Sequence, residues 1–478
     1  MSSRAHAVAE VRRAEQALMS TLPAGALMER AATGLAIAVT DLLGATYGQR
    51  VGMLVGGGNN GGDALYAGAR LAARGAQVEA VLLSPGHVHA TGLRSLRRAG
   101  GRVVERLTDC EVVLDGIVGI GGRPGLDEPA LAHVAAIPRE RTRVVAVDVP
   151  SGIDVDGGTS HRGTHVEADL TVTFGTHKLG LLAGPSADAA GTVRLVDIGL
   201  DEHLGAPVLT TAGSDLLAGM GVVPDASAHK YTRGVVGVAA GSTAYTGAGL
   251  LVVAGASCGL AGMIRYVGPE EVAGLIRARH PEAVVGEGRV QAWVVGSGGG
   301  HDAAHALRRA YDDGVPVVVD ADALQHLTGP PPVPVLLTPH AGELARMLDT
   351  DRDEVERDPV RHVREAADRF GGTVLLKGAR TLVASHGQGE LMVNTTGTPW
   401  LATAGAGDVL AGLCGALAAA APAPSTDLGR VAALAAHLHG RAAVAAGRGG
   451  PITAGDVAAA LPAVIRAAIG AAAVRIPR

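Results

Sequence analysis

Two successive series of short β-branched runs, each followed by a glycine-rich turn and a helical stretch, leave this chain few folds to choose from. Apolar runs that can be buried on both faces, alternating with helices, indicate a parallel sheet covered on each side. The first series places strands at Arg50–Val55, Val78–Leu83, Val112–Ile117, Val144–Val147, Thr171–Phe174 and Val193–Asp197, with a helix at Asp63–Arg74. The second places them at Val235–Ala239, Trp293–Val295, Val317–Val319, Val335–Leu337, Val374–Leu376 and Leu391–Val393. Between them Gly199–Ala228 keeps no period and reads as loop, with one helical turn at Asp215–Gly219. At 478 residues the chain exceeds one ordinary core, since domains run to about 50–250 residues. Two α/β domains are expected, 1–207 and 208–478, with the boundary near Pro207. The first is a Rossmann-like doubly wound sheet.

Hydrophobic residues at 47% and charged residues at 18% exclude disorder. A net charge of −5 without a basic cluster argues against nucleic acid as a partner. Cys110, Cys258 and Cys414 are widely spaced and form no CxxC pair, so neither a disulfide framework nor a zinc site is indicated. The N-terminus has no apolar core of a signal peptide, and no unbroken apolar run of ~18 residues is seen, so a cytoplasmic protein without a membrane segment is expected. Basic charge is almost all arginine. The only lysines are Lys178, Lys230 and Lys377, and the only asparagines Asn59, Asn60 and Asn394, so each one retained against this bias merits inspection.

Gly56-Gly-Gly-Asn-Asn-Gly-Gly-Asp63 lies between a strand and a helix, where glycines let backbone amides approach a phosphate. It fits GxGxxG by spacing, but a dinucleotide-binding unit needs an acid at the far end of the next strand, about 20 residues on. Here Glu79 lies at the start of that strand, which ends at Ser84-Pro85. The dehydrogenase reading loses ground. Two further strand ends carry acids: Asp115, followed by Gly119-Ile-Gly-Gly-Arg-Pro-Gly125, and Asp148, followed by Val-Pro-Ser151-Gly-Ile-Asp154. Ligands of an open parallel sheet sit outside the carboxyl ends of its strands, so the three loops can share a crevice. Asn60, Asp115 and Ser151 offer oxygen ligands for a hard monovalent cation, leaving Asp148 for proton transfer.

In order, Glu15-Gln16, Leu27-Met-Glu-Arg-Ala31, GGGNNGGD, Asp115 with GIGGRPG, Asp148-Val-Pro-Ser-Gly-Ile-Asp and Phe174 with Lys178-Leu-Gly resemble the NAD(P)H-hydrate epimerase family over ~10–205. The resemblance implies that Asn59, Asn60, Gly61, Gly62 and Asp63, with Gly119, Ile120, Gly121, Gly122, Arg123, Pro124 and Gly125, hold the hydrated NADH or NADPH. It implies K⁺ on Asn60, Asp115 and Ser151, and Asp148 as the catalytic acid–base at the substrate. Ala64 stands where the family commonly has glycine.

In the second series, Ala404-Gly-Ala-Gly-Asp408 opens a helix, forming a small anion hole beside a carboxylate. In ribokinase-superfamily kinases such a turn stabilises the moving phosphoryl group while its Asp deprotonates the acceptor hydroxyl. Lys377-Gly-Ala-Arg-Thr381 ends a strand with a point charge suited to nucleotide phosphate. With His229-Lys230, Gly241-Ser, Thr246-Gly-Ala248, Asp320-Ala-Asp-Ala-Leu and Thr338-Pro-His340-Ala-Gly-Glu343, these motifs resemble the ADP/ATP-dependent NAD(P)H-hydrate dehydratases over ~210–470. A ribokinase-like second domain is implied, with Ala248, Gly298, His340 and Asp408 at the hydrate. Lys377, Gly378, Ala379, Arg380, Thr381 and Gly407 would hold the adenine nucleotide, ADP with Mg²⁺. Gly296–Gly300 reads GSGGG where the family usually has GPGLG, and Tyr231 follows His-Lys where glycine is common. The expected function is epimerisation of the R and S hydrates and ADP-driven dehydration of the S form, by a homo-oligomer acting only on small molecules. A true small-molecule kinase with an accessory domain, and a binding scaffold with an inactive first domain, are the rival readings.

Overall fold

The computed structural model describes residues 2–159, 164–421 and 427–473. They fall into two compact units, Arg4–Leu209 and a second beginning at Thr210.

The first unit comprises β1 (Arg4–His6), α1 (Val8–Met19), α2 (Ala26–Leu43), β2 (Arg50–Val55), α3 (Gly58–Ala73), β3 (Gln77–Leu82), α4 (Ala90–Arg98) and β4 (Arg102–Val103). There follow β5 (Val112–Gly116), α5 (Glu128–Ala135), β6 (Arg143–Val147), β7 (Leu170–Phe174), β8 (His177–Lys178), α6 (Ser186–Ala189) and β9 (Thr192–Val196). Seven strands form a sheet in the order β4-β3-β2-β5-β6-β7-β9, parallel throughout. Alternate side chains go to opposite faces, as the strand period of two requires. Met53, Val55, Leu114 and Val147 enter the core under α2 and α3, and Leu54, Val113 and Ala146 the opposite one. Both faces are buried, which is why these strands read as continuous apolar runs. The chain runs outward from β2 to β4 and returns at β5, so the order reverses between β2 and β5. That reversal opens a crevice at their carboxyl ends.

After β10 (Leu209–Thr211), the second unit contains β11 (Val235–Ala239), α7 (Thr246–Ala256), β12 (Met263–Tyr266), α8 (Glu270–Arg279), β13 (Val284–Val285), β14 (Ala292–Val295), α9 (Ala303–Asp312), β15 (Val317–Val319) and β16 (Val335–Leu337). Then come α10 (Ala341–Leu348), α11 (Arg352–Arg357), α12 (Pro359–Phe370), β17 (Thr373–Leu376), β18 (Thr381–Ser385), β19 (Leu391–Asn394), α13 (Ala406–Ala420), α14 (Leu428–Gly447) and α15 (Ala454–Ala473). Its strands run β13-β12-β11-β14-β15-β16-β17-β18-β19, parallel as far as β17 and antiparallel beyond it. The order reverses between β11 and β14, giving a second crevice. Every residue of α13 from Val409 to Ala419 is buried, as expected of a helix that is apolar all round.

In α15 an 18-residue window, Ala454–Ala471, has mean hydropathy 1.4 and is 33% buried. Length and composition therefore admit one membrane-crossing helix where the sequence reading expected none. Its burial pattern is that of a helix lying on the unit's own core: Val457, Leu461, Ile465 and Ala468 point inward at helical spacing, whereas Asp456 and Arg466 are exposed.

Candidate functional site

The glycine-rich stretch of the first unit is not a loop ahead of the helix, as the sequence suggested, but the first turn of α3, which starts at Gly58 and not Asp63. A Cβ on Gly61 would lie 2.4 Å from Gly56 O, so the turn closes this tightly only without a side chain there. Ala64 is accommodated from the other side. A Cβ on Gly116 would meet its methyl at 2.6 Å, and Gly116 has none.

Asn60, Asp115 and Ser151 do converge. The Asn60 amide nitrogen donates to Val147 O at 2.9 Å and its Oδ1 accepts from Gly119 N–H at 3.3 Å. Asp115 accepts from Ser151 N–H at 2.8 Å and from Ser151 Oγ at 2.6 Å, with Ile117 N–H at 3.3 Å. Burial pushes the Asp115 carboxyl up to about 6, against the pull of the Ser151 hydrogen bonds. No ion pair to Asp115 is found among the described residues. A buried carboxylate amid neutral oxygens is a donor set that suits a monovalent cation.

Asp148 closes β6 with φ 66°, in the left-handed region that Asp tolerates better than most residues. Its Oδ1 accepts from Lys178 Nζ at 2.5 Å, Thr173 Oγ1 at 3.1 Å and Phe174 N–H at 3.3 Å. Lys178 is fully buried, and its other donors go to Thr173 Oγ1 (2.9 Å) and Phe174 O (3.1 Å). Nothing in the spacing of the sequence announces this pair; the signals were a lysine kept in an arginine-rich chain and its place in the Phe174…Lys178-Leu-Gly motif. Glu15 of α1 also reaches the region: burial, then the Asp148 charge, raise its pKa, opposed by Lys178 and Arg12. Arg12 in turn lies against Gly121 of the Gly119–Gly125 loop, 3.1 Å from where its Cβ would be.

In the second unit one buried carboxylate ties four strand ends together. Asp320, after β15, accepts from Ser297 Oγ beyond β14 (2.7 Å), Thr338 Oγ1 beyond β16 (2.8 Å) and Lys377 Nζ beyond β17 (2.9 Å). Lys377 is thus held, with Glu343 3.7 Å away, and these carboxylates raise its basicity against the effect of burial. Its Nζ lies 3.4 Å from where a Cβ on Gly407 would stand, so the lysine abuts the Gly405–Asp408 turn. Asp408, in the first turn of α13, is pushed up to about 7 by burial and then by Asp320, with Lys377 opposing.

His340 caps α10, its Nδ1 accepting from Gly342 and Glu343 N–H at 3.0 and 3.2 Å. Glu343 answers by accepting from His340 N–H at 2.8 Å. The imidazole Nε2 lies 3.5 Å from the other Glu343 carboxylate oxygen. Gly298 has φ +59°, and a Cβ there would stand 2.6 Å from Ala248 Cβ, placing those two residues together at the β11/β14 reversal. Lys377 pairs with His340 as an isolated parallel bridge, and Gly378, Ala379 and Arg380 form the turn into β18, which Thr381 opens.

The family model for NAD(P)H-hydrate dehydratase matches residues 236–458, and that for the YjeF-related protein N-terminus matches 24–180. A protein of Mycobacterium leprae named bifunctional NAD(P)H-hydrate repair enzyme is 44% identical over 433 residues, 87% of this chain and 89% of the relative. One of the same name from Gloeobacter violaceus is 35% identical over 456 residues, 86% of this chain and 88% of the relative. The Bacillus subtilis ADP/ATP-dependent NAD(P)H-hydrate dehydratase, co-crystallised with ATP/Mg²⁺, is 26% identical with a TM-score of 0.50, covering 54% of this chain and 97% of that one. The fold of the second unit is therefore ribokinase-like. With likeness of this extent spanning both units, the chain belongs to the family of bifunctional NAD(P)H-hydrate repair enzymes.

Proposed function

We propose that the first unit interconverts the R and S hydrates of NADH and NADPH and that the second returns the S form to the reduced dinucleotide, consuming ADP. The observation that carries the reading is the contact between Lys377 and the Gly405–Asp408 turn, a kinase-type apparatus in a chain whose relatives are named for hydrate repair. The hydrate's hydroxyl, on the carbon beside the ring nitrogen, is a poor leaving group. Asp408 takes its proton as the oxygen attacks the terminal phosphorus of ADP, and AMP departs. The nitrogen lone pair then expels phosphate from the ring carbon, and loss of a proton from the adjacent carbon restores the dihydropyridine.

In this scheme Lys377 and the N–H groups of Gly378, Ala379, Arg380, Thr381 and Gly407 hold the nucleotide, while Ala248, Gly298 and His340 border the hydrate. Mg²⁺ accompanying the nucleotide would supply charge neutralisation. In the first unit Asn59–Asp63 and Gly119–Gly125 hold the hydrate, and Asp148 handles the proton. Asn60, Asp115 and Ser151 would hold K⁺, which would supply positive charge beside the buried Asp115 carboxylate. The three cysteines are free and buried, in keeping with a reducing, cytoplasmic setting.

Mixed R and S hydrate of NADH is incubated with ADP or ATP, and absorbance of the reduced nicotinamide is followed. Recovery of the whole pool supports both activities. A stable phosphorylated hydrate, with no reduced nicotinamide formed, contradicts the dehydratase assignment.

A further inference from the structure

Three carboxyl groups of the first unit, Glu15, Asp63 and Asp148, lie within electrostatic reach of one another, and the reading above gives a proton-transfer task to Asp148 alone. Asp63 stands three residues after Asn60 on α3, and residues so spaced share a helix face. On that face Asn60 reaches Val147 O, the residue before Asp148, so Asp63 looks onto the same strand end one turn further along. Asp148 is clamped by Lys178, and its hydrogen bonds all fall on Oδ1. No hydrogen bond or ion pair to the Asp63 carboxyl is found among the described residues.

We infer that Asp63 is a second catalytic residue of the epimerase, the proton donor that works against Asp148 across the hydrate's ring carbon. The inference rests on the epimerase reading of this unit. Asp63 protonates the ring hydroxyl; the carbon–oxygen bond breaks as the nitrogen lone pair forms a carbon–nitrogen double bond, and water departs. Water then adds to the opposite face, the nitrogen recovers its electron pair, and the incoming oxygen gives its proton to the Asp148 carboxylate. One proton has moved from Asp63 to Asp148, and conversion in the other direction returns it.

The surroundings suit a donor. Burial first, then the charges of Asp148 and Glu15, raise Asp63 well above the ordinary carboxyl range, which favours its protonated form. The other charged or titratable groups near it are the following. Lys178 from β8 is spent on Asp148, Arg12 adjoins Gly121, and Glu29 of α2 pairs with Arg70 at the far end of α3. His89, at the start of α4, accepts from Gly92 N–H. Asp148, by contrast, is held by the Lys178 ammonium, so an acid and a base can stand on one crevice.

The test compares initial rates of R-to-S conversion by the full chain and its Asp63→Asn and Asp63→Glu variants from pH 5 to 10, with thermal unfolding as the check on folding. The expected result is a fall in kcat of ~10²–10⁴-fold for Asp63→Asn, a KM within a few-fold, and loss of the alkaline limb of the profile. Asp63→Glu should restore part of the rate and the limb. A parent chain that does not convert R hydrate overturns the epimerase reading and this inference together. A parent that converts it and an Asp63→Asn variant that keeps pace overturn the donor role alone. Should Asp63→Asn not fold, the parent in heavy-oxygen water decides: each enzymatic conversion should introduce solvent oxygen, and full retention of the original oxygen rules the step out.

Discussion

Lys178 Nζ sits 2.5 Å from Asp148 Oδ1, with the lysine side chain 1% and the aspartate side chain 11% exposed, so the buried cation and the candidate acid–base group of the first unit are one structural element. Lys178→Met leaves that carboxylate without its cation. Removing one partner of a buried pair costs about 3–5 kcal/mol, so the first unit should melt well below the parent while the second keeps its transition. Calorimetry that finds both transitions unmoved contradicts the pairing.

Asp148→Ala should leave consumption of S hydrate by the second unit at the parent rate but stall on the R form. Losing a general acid or base costs ~10²–10⁴-fold in rate. Because R hydrate also epimerises spontaneously, the measurement is an initial rate with enzyme limiting. Clearance of R hydrate as fast as by the parent would assign the proton to another group.

Asp408→Asn should abolish dehydration and spare epimerisation, since it keeps the shape of the turn and removes the base. With its carboxyl at about 7, the parent's dehydration rate should fall as pH drops below that value. The stability effect has the opposite sense. A carboxyl that binds its proton more tightly in the folded state stabilises the fold at low pH and loses that contribution as pH rises from its ordinary value to about 7. Asp408→Asn should therefore gain in melting temperature over the parent at pH 8 and lose most of that gain by pH 5.

Potassium should speed epimerisation relative to a bulky organic cation at equal ionic strength, because Asp115 is buried with only neutral partners. Asp115→Asn should blunt the response. Equal rates in the two salts would contradict the ligand set of Asn60, Asp115 and Ser151.

The elements legible in the sequence were those whose physics is local. β2, β5, β6 and β7, and in the second unit β11 and β14 to β17, are runs buried on both faces, so hydropathy alone located them to within a residue or two. The helix start was misplaced by five residues because glycines at 58, 61 and 62 disfavour a helix and read as loop; close packing against Gly56 overrides that preference. β12 escaped notice, its MIRY sequence half-buried in alternation, and β18 was absorbed into the Lys377–Thr381 motif. β1 and β8 are three and two residues long, too short for any period to show. The strand-end acids were visible as residues, but not their partners. Asp148 meets Lys178 across 30 residues and Asp320 meets Lys377 across 57, and only the strand order decides which distant side chains become neighbours.

The bonds that Asp320 receives from three neighbouring strand ends bear on affinity as well as architecture. Ser297, Thr338 and Lys377 are already immobilised in the free protein, so their rotamer entropy was surrendered during folding and need not be surrendered again when a ligand arrives. A nucleotide settling there would meet a rigid floor, and its binding should show little of the unfavourable entropy that accompanies the ordering of a loose site. Cutting one of these ties, as in Thr338→Val, should then weaken the nucleotide through entropy more than through enthalpy, a distinction that titration calorimetry can read directly.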